Sequence, residues 1–297
     1  MLILIHPKSS NIVNTDNSRR PHLTRMEILE QNECFEEVDG QFECTGTLAV
    51  YKSGDDIFHA YSKSRYRNSA EIKTEESVDI IKIPPSACCP LFRSIFKAGP
   101  DPLPDDYYIK RPALISYDRI CNSTNPYQIS DSVLAEVQIC ETLKQHPHPN
   151  IARYLGCQVR EGRIIGICFA QYQKNLMEKV NPKSYMKRSF HCSDWTLEDI
   201  DACLDGIEKG VRHLHSLGLV HNDINPANIM FEKDGTPVII DFGSCRAIGQ
   251  NLEGVGRTYE WYDDSVQQSV PTNDWDAIHE IREWLSDVDN KMFKFRD

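Results

Sequence analysis

A chain of 297 residues with 40% hydrophobic and 26% charged residues has the make-up of a soluble globular protein, long enough for one bilobal enzyme domain plus extra sequence. Its formal net charge of -11 argues against broad binding to nucleic acid or to an anionic membrane, because phosphate groups repel such a surface. The eleven cysteines are scattered, with one adjacent pair, Cys88 and Cys89, and no Cys-x-x-Cys that would start a zinc site.

The apolar start Met1–Ile5 is shorter than a signal core and has no basic residues ahead of it, and no apolar run approaches ~20 residues. The expectation is a cytoplasmic or nuclear protein with reduced cysteines, neither secreted nor membrane-spanning. Asn122-Ser123-Thr124 matches a glycosylation sequon that such a protein would not use. Residues 1 to about 20 are polar and are expected to be poorly ordered.

Thr47 to Tyr51 and Ile57 to Tyr61 flank Lys52-Ser53-Gly54-Asp55-Asp56, which predicts a β-hairpin. Pro84, Pro85, Pro90, Pro100, Pro102 and Pro104 then mark a linker-like stretch in which no long helix survives. Tyr107-Tyr108-Ile109-Lys110 reads as a short strand closed by Pro112. Ser130 or Asp131 is suited to cap a helix running to about Gln145, with Val133, Leu134, Val137, Cys140 and Leu143 on one face. His148-Pro149-Asn150 ends it, and Ile151 to Tyr154 and Ile164 to Tyr172 read as strands around the turn at Glu161-Gly162. The strongest helix signal follows: Thr196 with Asp199 forms a cap, and Ile200, Cys203, Leu204, Ile207, Val211 and Leu214 make one stripe up to Gly218. A hairpin through Lys233-Asp234-Gly235, a buried-type strand at Pro237 to Ile240 and a last helix carrying Trp275, Ile278, Ile281 and Leu285 complete the order. A mostly β half precedes a mostly α half, which is an α+β pattern.

The chemistry concentrates in His221-Asn222-Asp223-Ile224-Asn225-Pro226-Ala227-Asn228 and, thirteen residues after Asn228, Asp241-Phe242-Gly243. An acid, an amide and a second acid at this spacing suit phosphoryl transfer: one carboxylate orients an acceptor hydroxyl, while hard oxygens of the other two hold Mg²⁺. Asp223 and Asn228 are also ordinary turn formers around Pro226. Turn formation alone leaves Asp241 unexplained. His221 reads more readily as a structural support of this loop than as a proton carrier.

His221-x-Asp223-x-x-x-x-Asn228 resembles the catalytic loop of the protein kinase-like superfamily, and Asp241-Phe242-Gly243 is identical to its metal-binding triplet. Tyr108 to Asp118, His146 to Cys157 and Asp201 to Cys245 look closer still to kinase-like serine/threonine domains common in fungi. The resemblance spans roughly residues 101 to 290, with four motifs in the family's order. It implies a bilobal α+β fold, with a small mostly-β N-lobe over about 101–169 and a reduced mostly-α C-lobe over about 170–297; residues 1–100 form an N-terminal region of unclear role. It further implies ATP and magnesium as cofactors. Lys110 would hold the α- and β-phosphates, Glu136 would fix that lysine, and Asn228 and Asp241 would bind Mg²⁺. Phe169 would be the gatekeeper, Ala170 to Tyr172 the hinge facing adenine, and Asp223 the group that orients the acceptor hydroxyl. Asp274 would brace the catalytic loop.

Departures from the family pattern bear on activity. Asn225 stands where serine/threonine kinases usually carry a phosphate-facing lysine, and an amide offers only a neutral hydrogen bond. Asn222 replaces the arginine that commonly receives an activation-loop phosphate, which disfavours control by such phosphorylation. No G-x-G-x-x-G lies just upstream of Lys110; Gly46 to Lys52 bears a faint likeness to the end of one but lies far too early. The resemblance implies a reduced set of lower helices after Asp274, and Thr258 lies where it would help hold the catalytic acid. The expected function is phosphoryl transfer to Ser or Thr hydroxyls of a protein or peptide. A pseudokinase acting as a scaffold and a small-molecule kinase of the aminoglycoside or choline type are the alternatives. The substrate's identity and the oligomeric state are not legible.

Overall fold

The computed structural model describes residues 26–73, 76–192, 194–286 and 292–295. The expectation for residues 1 to 20 therefore lies outside the described residues. The chain folds as two compact units. Of the described residues, one comprises those from Met26 to Leu91 together with Arg111–Asp131; the other comprises Phe92–Lys110 and those from Ser132 to Phe295. No helix among the described residues is long and apolar enough to cross a membrane.

The first unit is built on a four-stranded antiparallel sheet in sequence order, β1 (Glu27–Val38), β2 (Gln41–Ser53), β3 (Asp56–Ser62) and β4 (Ser77–Ile83). The predicted hairpin is β2–β3, whose turn uses Gly54 at φ +63°. β1 was not legible because its face is charge-rich. Glu30 on this strand is nevertheless used within the unit, since its carboxylate accepts hydrogen bonds from the amides of Leu114 (2.7 Å) and Ile115 (2.9 Å). Two short helices, α1 (Pro85–Cys88) and α2 (Tyr117–Ile120), close the unit. Val50, Ile83, Ala87, Leu114, Tyr117 and Ile129 are buried together as its core.

The second unit holds a three-stranded antiparallel sheet in the order β5 (Tyr107–Lys110), β7 (Arg163–Ala170) and β6 (Tyr154–Arg160), together with α3 (Gln128–Gln145), most of which belongs to this unit. β6 starts at Tyr154 rather than at Ile151, because the chain just before it pairs elsewhere: Ala152 N donates to Ile239 O and Ile239 N to Asn150 O. α3 starts at Gln128, ahead of the expected cap. Asn125 accepts from Tyr127 N (3.1 Å) and donates to Asp131 (2.9 Å), so Ser130 and Asp131 fall inside the first turn. The segment before β5 runs along the sheet, with Cys157 N bonded to Lys97 O and Gly99 N to Cys157 O.

Below this sheet lie α4 (Leu176–Val180), α5 (Leu197–Ser216), the short strands β8 (Leu219–Val220), β9 (Ile229–Phe231), β10 (Pro237–Ile239) and β11 (Arg246–Ala247), and α6 (Pro271–Leu285). α5 forms as its sequence demands. Thr196 Oγ1 accepts from Asp199 N (3.2 Å) while the Asp199 carboxylate accepts from Thr196 N (2.9 Å), and the predicted stripe is buried. The sheet-side residues of α3, α5 and α6 share one core with Ile229, Ile239 and Phe242.

α5 packs closely on Pro237 of β10 and on the backbone at Asn150 only because two of its residues are glycines. A Cβ on Gly206 would stand 2.4 Å from Pro237 Cγ, and one on Gly210 would stand 2.9 Å from Asn150 O. Alanine improves helix propensity by about 1 kcal/mol, but overpacking a rigid proline ring costs about 1–3 kcal/mol. Gly206→Ala should therefore lower stability, by up to about 2 kcal/mol. A reduced urea midpoint with unchanged slope would bear this out.

Candidate active site

A single buried carboxylate sets the loop after β8. Asp274, fully buried on α6, accepts from His221 N (2.9 Å), Asn222 N (2.8 Å) and His215 Nε2 (2.8 Å). Asn222 takes φ +63°, a left-handed conformation that asparagine tolerates better than branched residues. Its amide nitrogen lies 2.9 Å from Val220 O, 3.0 Å from Ser269 Oγ and 3.2 Å from Ser244 O. Its amide oxygen accepts from Asn273 Nδ2 (2.9 Å). The position that carries arginine in the family thus holds a buried neutral network. His221 Nδ1 accepts from Asp223 N (3.3 Å), which assigns the proton to Nε2, 3.0 Å from Ile240 O. Both ring nitrogens are used in holding the loop, in keeping with a structural role.

The Asp223 carboxylate is held from both sides. Thr258 N donates to Oδ1 (2.7 Å), while Thr258 Oγ1 (3.1 Å) and Asn228 Nδ2 (3.0 Å) donate to Oδ2. Burial pushes the Asp223 carboxyl above the ordinary aspartate range, with the nearby Asp241 charge adding to it and Thr258 opposing it. Asn225 is buried beside it. Its Nδ2 donates to Asp223 O (3.0 Å) and Thr258 Oγ1 (3.0 Å), and its Oδ1 accepts from Ala227 N (2.9 Å). Both amide hydrogens of Asn225 are therefore committed within the loop.

The second cluster joins β5, α3 and the Asp241 turn. Lys110 Nζ lies 2.7 and 2.8 Å from the two Glu136 oxygens and 2.7 Å from Asp241 Oδ1. Burial disfavours charge on Lys110, but the two carboxylates outweigh it and hold its pKa above the ordinary lysine value. Burial also pushes Asp241 up, yet Lys110 prevails and keeps it below the usual aspartate range. Glu136, buried on α3, also accepts from Phe242 N (3.2 Å) and so ties the helix to the Asp-Phe-Gly turn. Just over one turn further along α3, Glu141 accepts from Lys97 N and from the Tyr154 hydroxyl.

Hard oxygens remain for a cation. Asp241 takes φ +63° and directs Oδ1 to Lys110 and Gly243 N (3.1 Å); among the described residues no donor reaches its Oδ2, nor Asn228 Oδ1. Two protein oxygens fit Mg²⁺, which usually takes its other ligands from phosphates and water.

At the end of β7, Phe169 is buried against Tyr154 and Phe242. Beyond it, Ala170 N donates to Arg153 O, Gln171 N to Asp106 O and Gln173 N to Phe231 O. Tyr172 N has no acceptor among the described residues, while the Tyr172 hydroxyl accepts from Arg153 N (2.9 Å). The hinge expectation thus meets a segment in which the amides of Ala170 and Gln171 are used and that of Tyr172 is not.

The structure brings Lys110, Glu136 and Asp241 into one cluster and Asp223, Asn225, Asn228 and Thr258 into another. Sequence reasoning did not find His215, Ser244, Ser269 and Asn273, whose contacts span long sequence separations and leave no local signal. It also missed Lys187, which pairs with Glu280 of α6, donates to Glu260 O and lies 4.7 Å from the Trp261 ring, fixing the end of the segment that carries Thr258.

These two clusters, hung on a small sheet with one helix above and a helical core below, define a domain of protein kinase type. Residues 116–277 match the protein kinase domain family, and the chain belongs to it. The matched span begins after Lys110. The chain is 27% identical over 168 residues to the probable serine/threonine-protein kinase mkcF of Dictyostelium discoideum, covering 55% of this chain and 24% of that protein. It is 29% identical over 157 residues to the serine/threonine-protein kinase/endoribonuclease IRE1 of Hypocrea jecorina, covering 52% of this chain and 11% of that protein. It is 30% identical over 148 residues to the serine/threonine-protein kinase Tao of Drosophila melanogaster, covering 49% and 13% respectively. The chain therefore spans a quarter or less of these relatives' lengths.

Asp274→Ala would strand the amides of His221 and Asn222 without acceptors, at about 1–3 kcal/mol each. Hydrogen exchange should show these amides opening faster by at least about tenfold, while amides in β6 and β7 keep their protection.

Proposed function

We propose that the chain is an ATP- and Mg²⁺-dependent phosphotransferase that moves the γ-phosphate to a Ser or Thr hydroxyl of a protein or peptide. The observation that carries this reading is Lys110 bonded at once to Glu136 and Asp241, with Asp223 held separately by Thr258 and Asn228. A lysine so placed is positioned to take the α- and β-phosphates, with Glu136 keeping it there. Asn228 Oδ1 and Asp241 Oδ2 would hold Mg²⁺, which neutralises phosphate charge. Asp223 would orient the acceptor hydroxyl and take its proton late in the reaction, as the new P–O bond forms and the bond to the ADP oxygen breaks. Ala170 to Tyr172 would face the base, with Tyr172 N as the free donor, and Phe169 would close the back of the site.

Asn225 is a positioning residue in this scheme. With both amide hydrogens engaged, it aligns Thr258 and the Asp223 backbone and adds no donor to the γ-phosphate. That absence of a phosphate-facing cation also favours the second reading, a scaffold with little turnover. A small-molecule acceptor is separated from both by its substrate. The acidic net charge fits a protein partner rather than nucleic acid or membrane, and a cytosolic or nuclear location fits the reduced cysteines.

Thermal shift with millimolar Mg-ATP should stabilise the wild-type protein, and Asp241→Ala should abolish the effect. Asp223→Ala should keep nucleotide binding and lose about 10²–10⁴-fold in turnover on peptide substrates. A wild-type protein that gains no stability from Mg-ATP would sink the enzyme reading. Binding without turnover across protein and metabolite panels would leave the scaffold.

Because Asp223 must be ionised to work and its pKa is raised, the acid limb of kcat/KM should fall above the ordinary aspartate value of 3.8. Thr258→Val deletes a hydrogen bond to the carboxylate and should move that limb to still higher pH, measured across a pH series at saturating Mg²⁺.

A further inference from the structure

We propose that Arg257 receives an acidic side chain of the acceptor peptide, close in sequence to the Ser or Thr that Asp223 orients. This rests on the phosphotransferase reading above and deepens it by naming the substrate class.

Arg257 directly precedes Thr258, whose N (2.7 Å) and Oγ1 (3.1 Å) hold the Asp223 carboxylate. It therefore belongs with the Asp223 cluster and not with Lys110, which is bonded to Glu136 and Asp241. The Arg257 guanidinium lies 4.0 Å over the Tyr262 ring. Burial pushes the Tyr262 hydroxyl above the ordinary tyrosine range, and the charges of Asp264 and Asp223 add to it while Arg257 opposes, so the ring stands beside the acid that orients the acceptor. An extended peptide advances about 3.3 Å per residue. With its hydroxyl at Asp223, side chains one or two places along come within reach of an arginine next to Thr258.

The guanidinium is also short of partners. Of the N–H donors an arginine carries, one is directed at Asp263 O, at a long 3.4 Å. Nε is enclosed without an acceptor, and among the described residues Arg257 forms no ion pair. Nη2 has no partner there either and, unlike Nε, is not enclosed, so it faces solvent. Asp263, whose carboxylate feels the Arg257 charge, turns Oδ1 to Ser265 N (2.8 Å) and Oγ (2.6 Å) instead. Stacking on Tyr262 fixes the plane of the cation, which lowers the cost of ordering it for a partner. A flat cation with an open edge beside the acceptor-orienting acid matches a carboxylate in shape and charge. The chain's net charge of -11 does not decide this contact, because charges beyond about 8–10 Å are largely screened at physiological salt.

The test is phosphorylation of a positional-scanning Ser/Thr peptide library by wild-type protein, followed by matched peptides. One flanking position should prefer Asp and Glu, and there a Glu peptide should exceed its Gln counterpart about tenfold in kcat/KM. Arg257→Gln should remove that preference while keeping turnover of the Gln peptide. Arg257→Glu should invert the preference toward a Lys peptide, which loss of a merely structural arginine would not do. Turnover by wild-type protein with no preference between Glu and Gln at any position would overturn the inference alone. Equal losses on both peptides in Arg257→Gln, without inversion in Arg257→Glu, would mark the side chain as structural and overturn it as well. Wild-type protein that phosphorylates no peptide in the library would remove the peptide phosphotransferase reading along with it.

Discussion

The candidate site depends first on the carboxylate of Asp274. Fully buried on α6, it collects two consecutive backbone amides and one imidazole, and in doing so fixes where the chain leaves β8. Each buried amide left without an acceptor would cost about 1–3 kcal/mol, so the left-handed turn at Asn222 is over-determined rather than merely permitted. Everything downstream inherits that geometry: the direction of Asp223, the reach of Asn228 back to it, and the placing of His221 against Ile240. The helix core beneath supplies rigidity, since α5 and α6 pack around Ile281, Trp284 and Leu214, all fully buried.

Two asparagines show what this chain has done with a frame built for cations. Asn222 satisfies its amide entirely within protein, through Val220, Ser244, Ser269 and Asn273, where a guanidinium would need an anion brought to it. Asn225 likewise closes on Thr258 and the loop backbone. Neutral hydrogen bonds avoid the desolvation cost of buried charge and are insensitive to salt. The frame is retained and its phosphate-seeking charges are gone.

Much of this was legible from local rules. The α5 stripe and its Thr196–Asp199 cap obey helix periodicity, and Lys110, Glu136 and Asp241, singled out by their order in the chain, are found bonded together. Features fixed by tertiary contact were not legible. β1 carries its glutamates on a strand that reads as polar surface, yet Glu30 is consumed by two backbone amides. The start of β6 shifted because Ile151 and Ala152 had a partner at Ile239, far along the chain. The full commitment of Asn225 could be seen only once Thr258 was in place. Lys187 and Glu280, 93 residues apart, had no signature at all.

The Lys110 cluster has an electrostatic consequence. Lys110 is one positive charge between Glu136 and Asp241, so these three groups together are anionic before any ligand arrives. A bare polyphosphate would meet repulsion there, without a lysine at Asn225 to soften it. On the proposed reading, positive charge has to be imported with the substrate. Occupancy would then follow the free divalent-cation level as closely as the nucleotide level, making the site a detector of two concentrations at once.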